Sequence, residues 1–116
     1  MAVSIPKELQ DKLASFEQIK AQLQMVMAQR ADMDTRKREM ESAVKALEER
    51  KEGDVYRRVG DLMMKVEDIE GLKKSMSEEL EVLSVRLRSM ETQEKSMKEY
   101  YENLGKELNE SLKRYR

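Results

Sequence analysis

Mostly apolar residues return at alternating steps of three and four through both halves of the chain, with a few polar interruptions, and the repeat itself is lost around the middle. In the first half a seven-residue register places Leu9, Phe16, Leu23, Arg30, Lys37 and Val44 at position a, with Lys12, Ile19, Val26, Met33, Met40 and Leu47 at position d. The second half repeats it, with Leu80, Leu87, Glu94, Tyr101, Leu108 and Tyr115 at a and Met76, Leu83, Met90, Met97, Leu104 and Ser111 at d. Such spacing lays an apolar stripe along a long α-helix, and the stripe needs a second helix to cover it. Helices of about 45 residues, about 65 to 70 Å long at roughly 1.5 Å per residue, are far longer than globular ones and depend on that partner. Two equal halves on a short connector make an antiparallel pair within one chain the most favourable arrangement, because the connector keeps the halves at high effective concentration. The two chain ends then meet at one end of the pair.

Local signals set the boundaries. Ser4 is a candidate N-cap and Pro6 sits in the first turn, where its missing N–H does no harm, so a helix is predicted over about residues 5–51. A second is predicted from about residue 68 to 114. Gly53 and Gly60 punctuate the middle, and Val55-Tyr56-Arg57-Arg58-Val59, Gly60-Asp61, Leu62-Met63-Met64-Lys65-Val66 reads as two bulky or β-branched runs around a two-residue turn. Pairing across that turn sets Val59 opposite Leu62, Arg57 opposite Met64 and Val55 opposite Val66. The other face carries Tyr56 with Lys65 and Arg58 with Met63. A lone two-stranded hairpin is marginal in water and has two open edges, so this one, at about residues 55–66, is expected to pair with hairpins of other subunits. The predicted fold is all-α dominated: a long antiparallel coiled-coil hairpin with one central β-hairpin, residues 1–116 forming a single domain.

Composition narrows the function. The chain is 41% charged and 4% aromatic, with neither Trp nor Cys, which suits long helices and not a compact globular core. Lys and Arg number 23 against 24 Asp and Glu, so a net charge of −1 gives no general attraction for phosphate backbones or anionic membranes. Without cysteine or histidine, thiolate chemistry, Cys-based zinc sites and the commonest general base are missing, and no G-x-x-x-x-G-K-[ST] loop is present. Neither an enzyme nor a cofactor is expected. No apolar run reaches the length of a membrane span, which points to a cytoplasmic protein.

Long helix, hairpin, long helix over roughly residues 8 to 112 resembles prefoldin. The Val55–Val66 segment is similar to the single hairpin of archaeal β subunits, whereas α subunits carry two hairpins. The resemblance implies an ATP-independent holdase: a hexamer of two α and four β chains whose hairpins form an inter-subunit β-barrel, with coiled-coil arms that hold unfolded polypeptides at their tips. It further implies hand-over to a group II chaperonin, docked by the distal tips.

On that reading Val55, Tyr56, Val59, Leu62, Met64 and Val66 are the assembly residues. Apolar side chains also gather where the termini meet: Ile5, Leu9, Leu13, Phe16, Leu108, Leu112 and Tyr115, with Leu13 and Leu112 off the a/d seam at e. A wider core stripe sealing a frayed end would explain them, and the resemblance favours client contact. Lys113, Arg114 and Arg116 form a basic cluster that either docks the chaperonin or compensates the helix dipole. Gly105 is expected to loosen the last turns or to be neutral. Five of the ten methionines, Met33, Met40, Met76, Met90 and Met97, are seam residues, while Met25 and Met27 lie off it. Arg30 and Glu94 fall within about one turn of each other in the antiparallel register and are expected to pair, specifying register. Two other functions fit a coiled coil: a structural scaffold without clients, which leaves the hairpin and apolar tip unexplained, and a nucleic-acid-binding arm, which needs a basic stripe where charges here are interspersed.

Overall fold

A computed structural model describes residues 5–114, and the chain order is helix α1 (Lys7–Glu49), strand β1 (Tyr56–Val59), strand β2 (Leu62–Lys65) and helix α2 (Ile69–Lys113). Ser4, expected as a cap, lies outside the described residues. Helical bonding begins where Gln10 N donates to Pro6 O at 3.0 Å, and the Gln10 side chain donates to Ile5 O at 2.9 Å. Pro6 therefore supplies the first acceptor, and α1 starts at Lys7, slightly later than the cap and proline signals suggest. Past Glu49, Arg50 Nη1 donates to Gly53 O at 2.8 Å, and Gly53 takes a φ of 103° that side-chain-bearing residues rarely adopt.

The chain divides into two compact units, one from residues 5–31 with 88–114 and one from Asp32–Leu87. In both, the a/d positions carry the burial. The terminal unit buries Leu9, Leu23, Val26, Leu104 and Leu108, with Lys12, Phe16, Ile19, Met90, Met97 and Tyr101 half-buried beside them. Burying a Leu or Val side chain contributes roughly 1.5–3 kcal/mol, so these leucines dominate the pairing. Two a-position aromatics, Phe16 and Tyr101, stack with ring centroids 4.8 Å apart and 14° between planes. Arg30 and Glu94 also meet. Nε donates to Oε2 at 3.0 Å and Nη2 to Oε1 at 3.2 Å, a bidentate bridge set into the seam.

The central unit buries Val44, Leu47 and Leu87 and half-buries Met33, Lys37, Met40, Met76, Leu80 and Leu83. Asp68 caps α2: its Oδ1 accepts from Gly71 N at 2.9 Å and its carbonyl accepts from Leu72 N at 3.1 Å. A Cβ on Gly71 would collide with the Asp68 carboxylate, so the glycine leaves room for the cap. The strands are antiparallel in the register Tyr56↔Lys65, Arg57↔Met64, Arg58↔Met63, Val59↔Leu62, and Val66 N donates to Val55 O at 2.8 Å beyond the last of these pairs. Gly60 has a φ of 62° while Asp61 keeps the ordinary negative sign, the Gly-first pattern of a type II′ turn. Each predicted cross-strand pair is thus present.

Candidate functional site

Two surfaces stand out, one in each unit. In the central unit every residue of β1 and β2 is exposed. Tyr56, Val59, Leu62, Met63 and Met64 are half to two-thirds open to solvent, with Leu62 at 66%. Alternation sends Val59, Leu62 and Met64 to one face and Tyr56 and Met63 to the other, so neither face is purely polar. With only two strands, both outer edges keep unpaired N–H and C=O groups. Of the six residues expected to serve assembly, Val55 and Val66 are half-buried at the base of the hairpin and the other four are exposed. Beneath the strands runs an open groove of about 490 Å³, lined by Ala43, Leu47, Val55, Tyr56, Leu72 and Met76 among others. Sequence reasoning missed this groove, although the small side chains of Ala43 and Ala46 on one side of α1 mark it.

In the terminal unit the residues expected to hold clients separate by depth. Leu9 and Leu108 are 5% and 4% exposed, so they form the floor of the pairing and are reached only if the helices part. Leu13 and Phe16 are half-buried, and Ile5 and Leu112 are exposed. Tyr115 and Arg116 lie outside the described residues. Lys113 and Arg114 are exposed, and Arg114 lines a polar groove with Glu8, Lys12 and Ser111. Met25 and Met27 are exposed on α1, as their off-seam places imply. Gly105 corrects its expectation. An ideal Cβ there would stand 3.3 Å from Phe16 Cε2, so the missing side chain seats a ring that is itself stacked on Tyr101. The glycine therefore packs against that ring and does not sit on open surface.

Among the described residues no helix is long and apolar enough to cross a membrane. Both surfaces offer apolar contact, and the hairpin adds open strand edges, which is the chemistry of recognising other polypeptides.

Comparison with known proteins agrees. The sequence signature of the family described as "Prefoldin subunit" matches residues 10–115. "Prefoldin subunit beta" of Saccharolobus islandicus, in several strains, is 29% identical over 115 residues, covering 99% of this chain and 91% of the relative. The crystal structure of the prefoldin beta subunit from Thermococcus strain KS-1 superposes with a TM-score of 0.79 at 29% identity, covering 94% of this chain and 96% of that one. With that signature along almost its whole length and a single hairpin between two long helices, the chain belongs to the prefoldin family as a subunit of β type.

Proposed function

We propose that the chain is a subunit of an ATP-independent holdase in the cytoplasm, assembled through its hairpin with α subunits and other β subunits into a hexamer of two α and four β chains. Unfolded polypeptides bind at the terminal ends of the coiled coils and pass to a group II chaperonin. Family membership already implies a chaperone. The observation that carries the finer reading is the hairpin: five large apolar side chains exposed on a sheet of two strands, an arrangement that is marginal alone and gains by adding neighbouring strands.

The terminal unit supports the client half of the reading. Ile5, Leu13, Phe16 and Leu112 offer partial apolar surface above a closed floor of Leu9 and Leu108. One such patch binds weakly, since each Leu or Phe contributes at most roughly 1.5–3 kcal/mol before the loss of client freedom. Several ends on one client multiply that through effective concentration while each contact still opens quickly. Lys113 and Arg114, on the exposed last turn, suit an acidic docking surface on the chaperonin.

The test is aggregation of a chemically unfolded client, followed by light scattering, with the chain and an α partner present. Equal suppression with and without ATP is expected. Suppression that required ATP hydrolysis would overturn the reading.

A further inference from the structure

Away from its strands, the central unit carries a second groove of about 390 Å³, with Met40 and Leu83 in its floor and Val82 on its rim. Val82 is 53% exposed, although it belongs to a helix whose seam residues are covered. Glu78 and Arg86 flank it on α2, and Arg36 of α1 lines the groove as well. All three charged side chains are exposed, and none forms a salt bridge with a described residue. This groove and the one beneath the strands share Ser75 and Glu79 in their linings, so this face continues the surface beneath the hairpin.

The order of charges is what identifies a partner. Glu78, Val82 and Arg86 follow at steps of four residues, each about one helical turn or roughly 6 Å, so they line up on one side of α2. The row is antisymmetric about Val82, with a carboxylate one turn before it and a guanidinium one turn after. A half-turn rotation about an axis through Val82 exchanges the two ends. Two copies laid antiparallel therefore bring Val82 against Val82 and each Glu78 against the other copy's Arg86, which is the requirement for an isologous two-fold contact. An acidic partner would meet Glu78 and Glu79, and a basic partner would meet Arg36 and Arg86. An unfolded client has no fixed order of charge to match the row.

We propose that this face is a self-complementary docking surface for a second copy of the chain, centred on Val82 and separate from hairpin-mediated assembly. The apolar centre is small and the charge pairs sit at the rim, so the contact is weak and transient.

The chain contains no cysteine, so Val82→Cys introduces a unique thiol at the proposed axis. Oxidised glutathione joins two such thiols only where the backbones approach to roughly 4.4–6.8 Å between Cα atoms. Covalent dimer is expected from Val82→Cys, and at a rate roughly tenfold lower when Arg86→Glu or Glu78→Arg is added, because like charges then face each other. Mixing those two charge variants should restore the rate and yield the mixed dimer, identified by its mass. The same pattern in chains that also carry Val59→Asp separates this contact from the hairpin. Absence of dimer, equal rates in all charge backgrounds, or loss of the cross-link with Val59→Asp would each overturn the proposal. Circular dichroism verifies that every variant stays helical.

Discussion

Replacing Glu94 by Leu removes the carboxylate that holds Arg30 within the seam of the terminal unit. Two charge-assisted hydrogen bonds are lost, at 3.0 and 3.2 Å, between side chains that are 29% and 18% exposed. A hydrogen bond to a charged group contributes about 1.5–3 kcal/mol, a fully buried pair costs about 3–5 kcal/mol when one partner is removed, and an exposed pair is worth less than about 1 kcal/mol. Partial exposure puts this bridge between the limits, and a loss of about 2 kcal/mol is expected for Glu94→Leu and for Arg30→Leu. The double variant removes both charges together with their desolvation penalty. It should match the original chain or exceed it by up to about 2 kcal/mol. Urea unfolding followed by circular dichroism, at one protein concentration because assembly shifts apparent stability, measures all four chains as a cycle. The double variant should also lose specificity of register, since the bridge penalises a slip by one heptad and leucine does not. Single variants within about 0.5 kcal/mol of the original chain would refute the reasoning and make the bridge a solvated contact of no consequence.

Val59→Asp places a carboxylate among the exposed apolar residues of the hairpin and should dissociate the assembly while the helices stay paired, because burying an unpaired charge costs several kcal/mol. Native mass measurement with an α partner checks it, and an unchanged mass contradicts it. Gly105→Ala should stay within about 0.5 kcal/mol of the original chain, the gain in helix propensity offsetting a tight contact with the Phe16 ring, whereas Gly105→Leu should lose about 1–3 kcal/mol by displacing that ring. At the start of α2, Asp68→Ala should cost about 1 kcal/mol through the lost cap, and Gly71→Ala should come out near neutral because its propensity gain is set against the same cap. Urea midpoints distinguish each of these outcomes.

Much of the fold was legible because a seven-residue repeat has only one way to be covered within one chain. Every described a and d position of the assigned register is buried or half-buried, down to Lys12, Lys37 and Ser111. Gly60-Asp61 settled the hairpin for a similar reason: a two-residue turn leaves one pairing register, and that register is the one observed. The bridge between Arg30 and Glu94 followed from antiparallel pairing alone. Depth at the terminal end was not legible. The register sets Leu9 and Leu108 at a and Leu112 at e, but how far Leu13 and Phe16 close over that floor depends on the packing of both helices. The role of Gly105 was hidden because it depends on a ring eighty-nine positions away in sequence. The grooves of the central unit depend on small and off-register residues, Ala43, Ala46 and Val82, that a search for seam periodicity passes over.

The most direct measurement is aggregation suppression by an intact hexamer carrying Leu13→Ser and Leu112→Ser. Both residues lie at the edge of the seam in the terminal unit, half-buried and exposed respectively, so their replacement removes apolar surface without emptying the floor formed by Leu9 and Leu108. If clients bind at the terminal ends, native mass should stay that of the unsubstituted hexamer while protection of an unfolded client falls severalfold, the loss at each end multiplied across the ends engaged. An intact double-variant hexamer that protects clients as well as the original would contradict the account and shift attention to the sides of the coiled coil, beginning with the exposed Met25 and Met27.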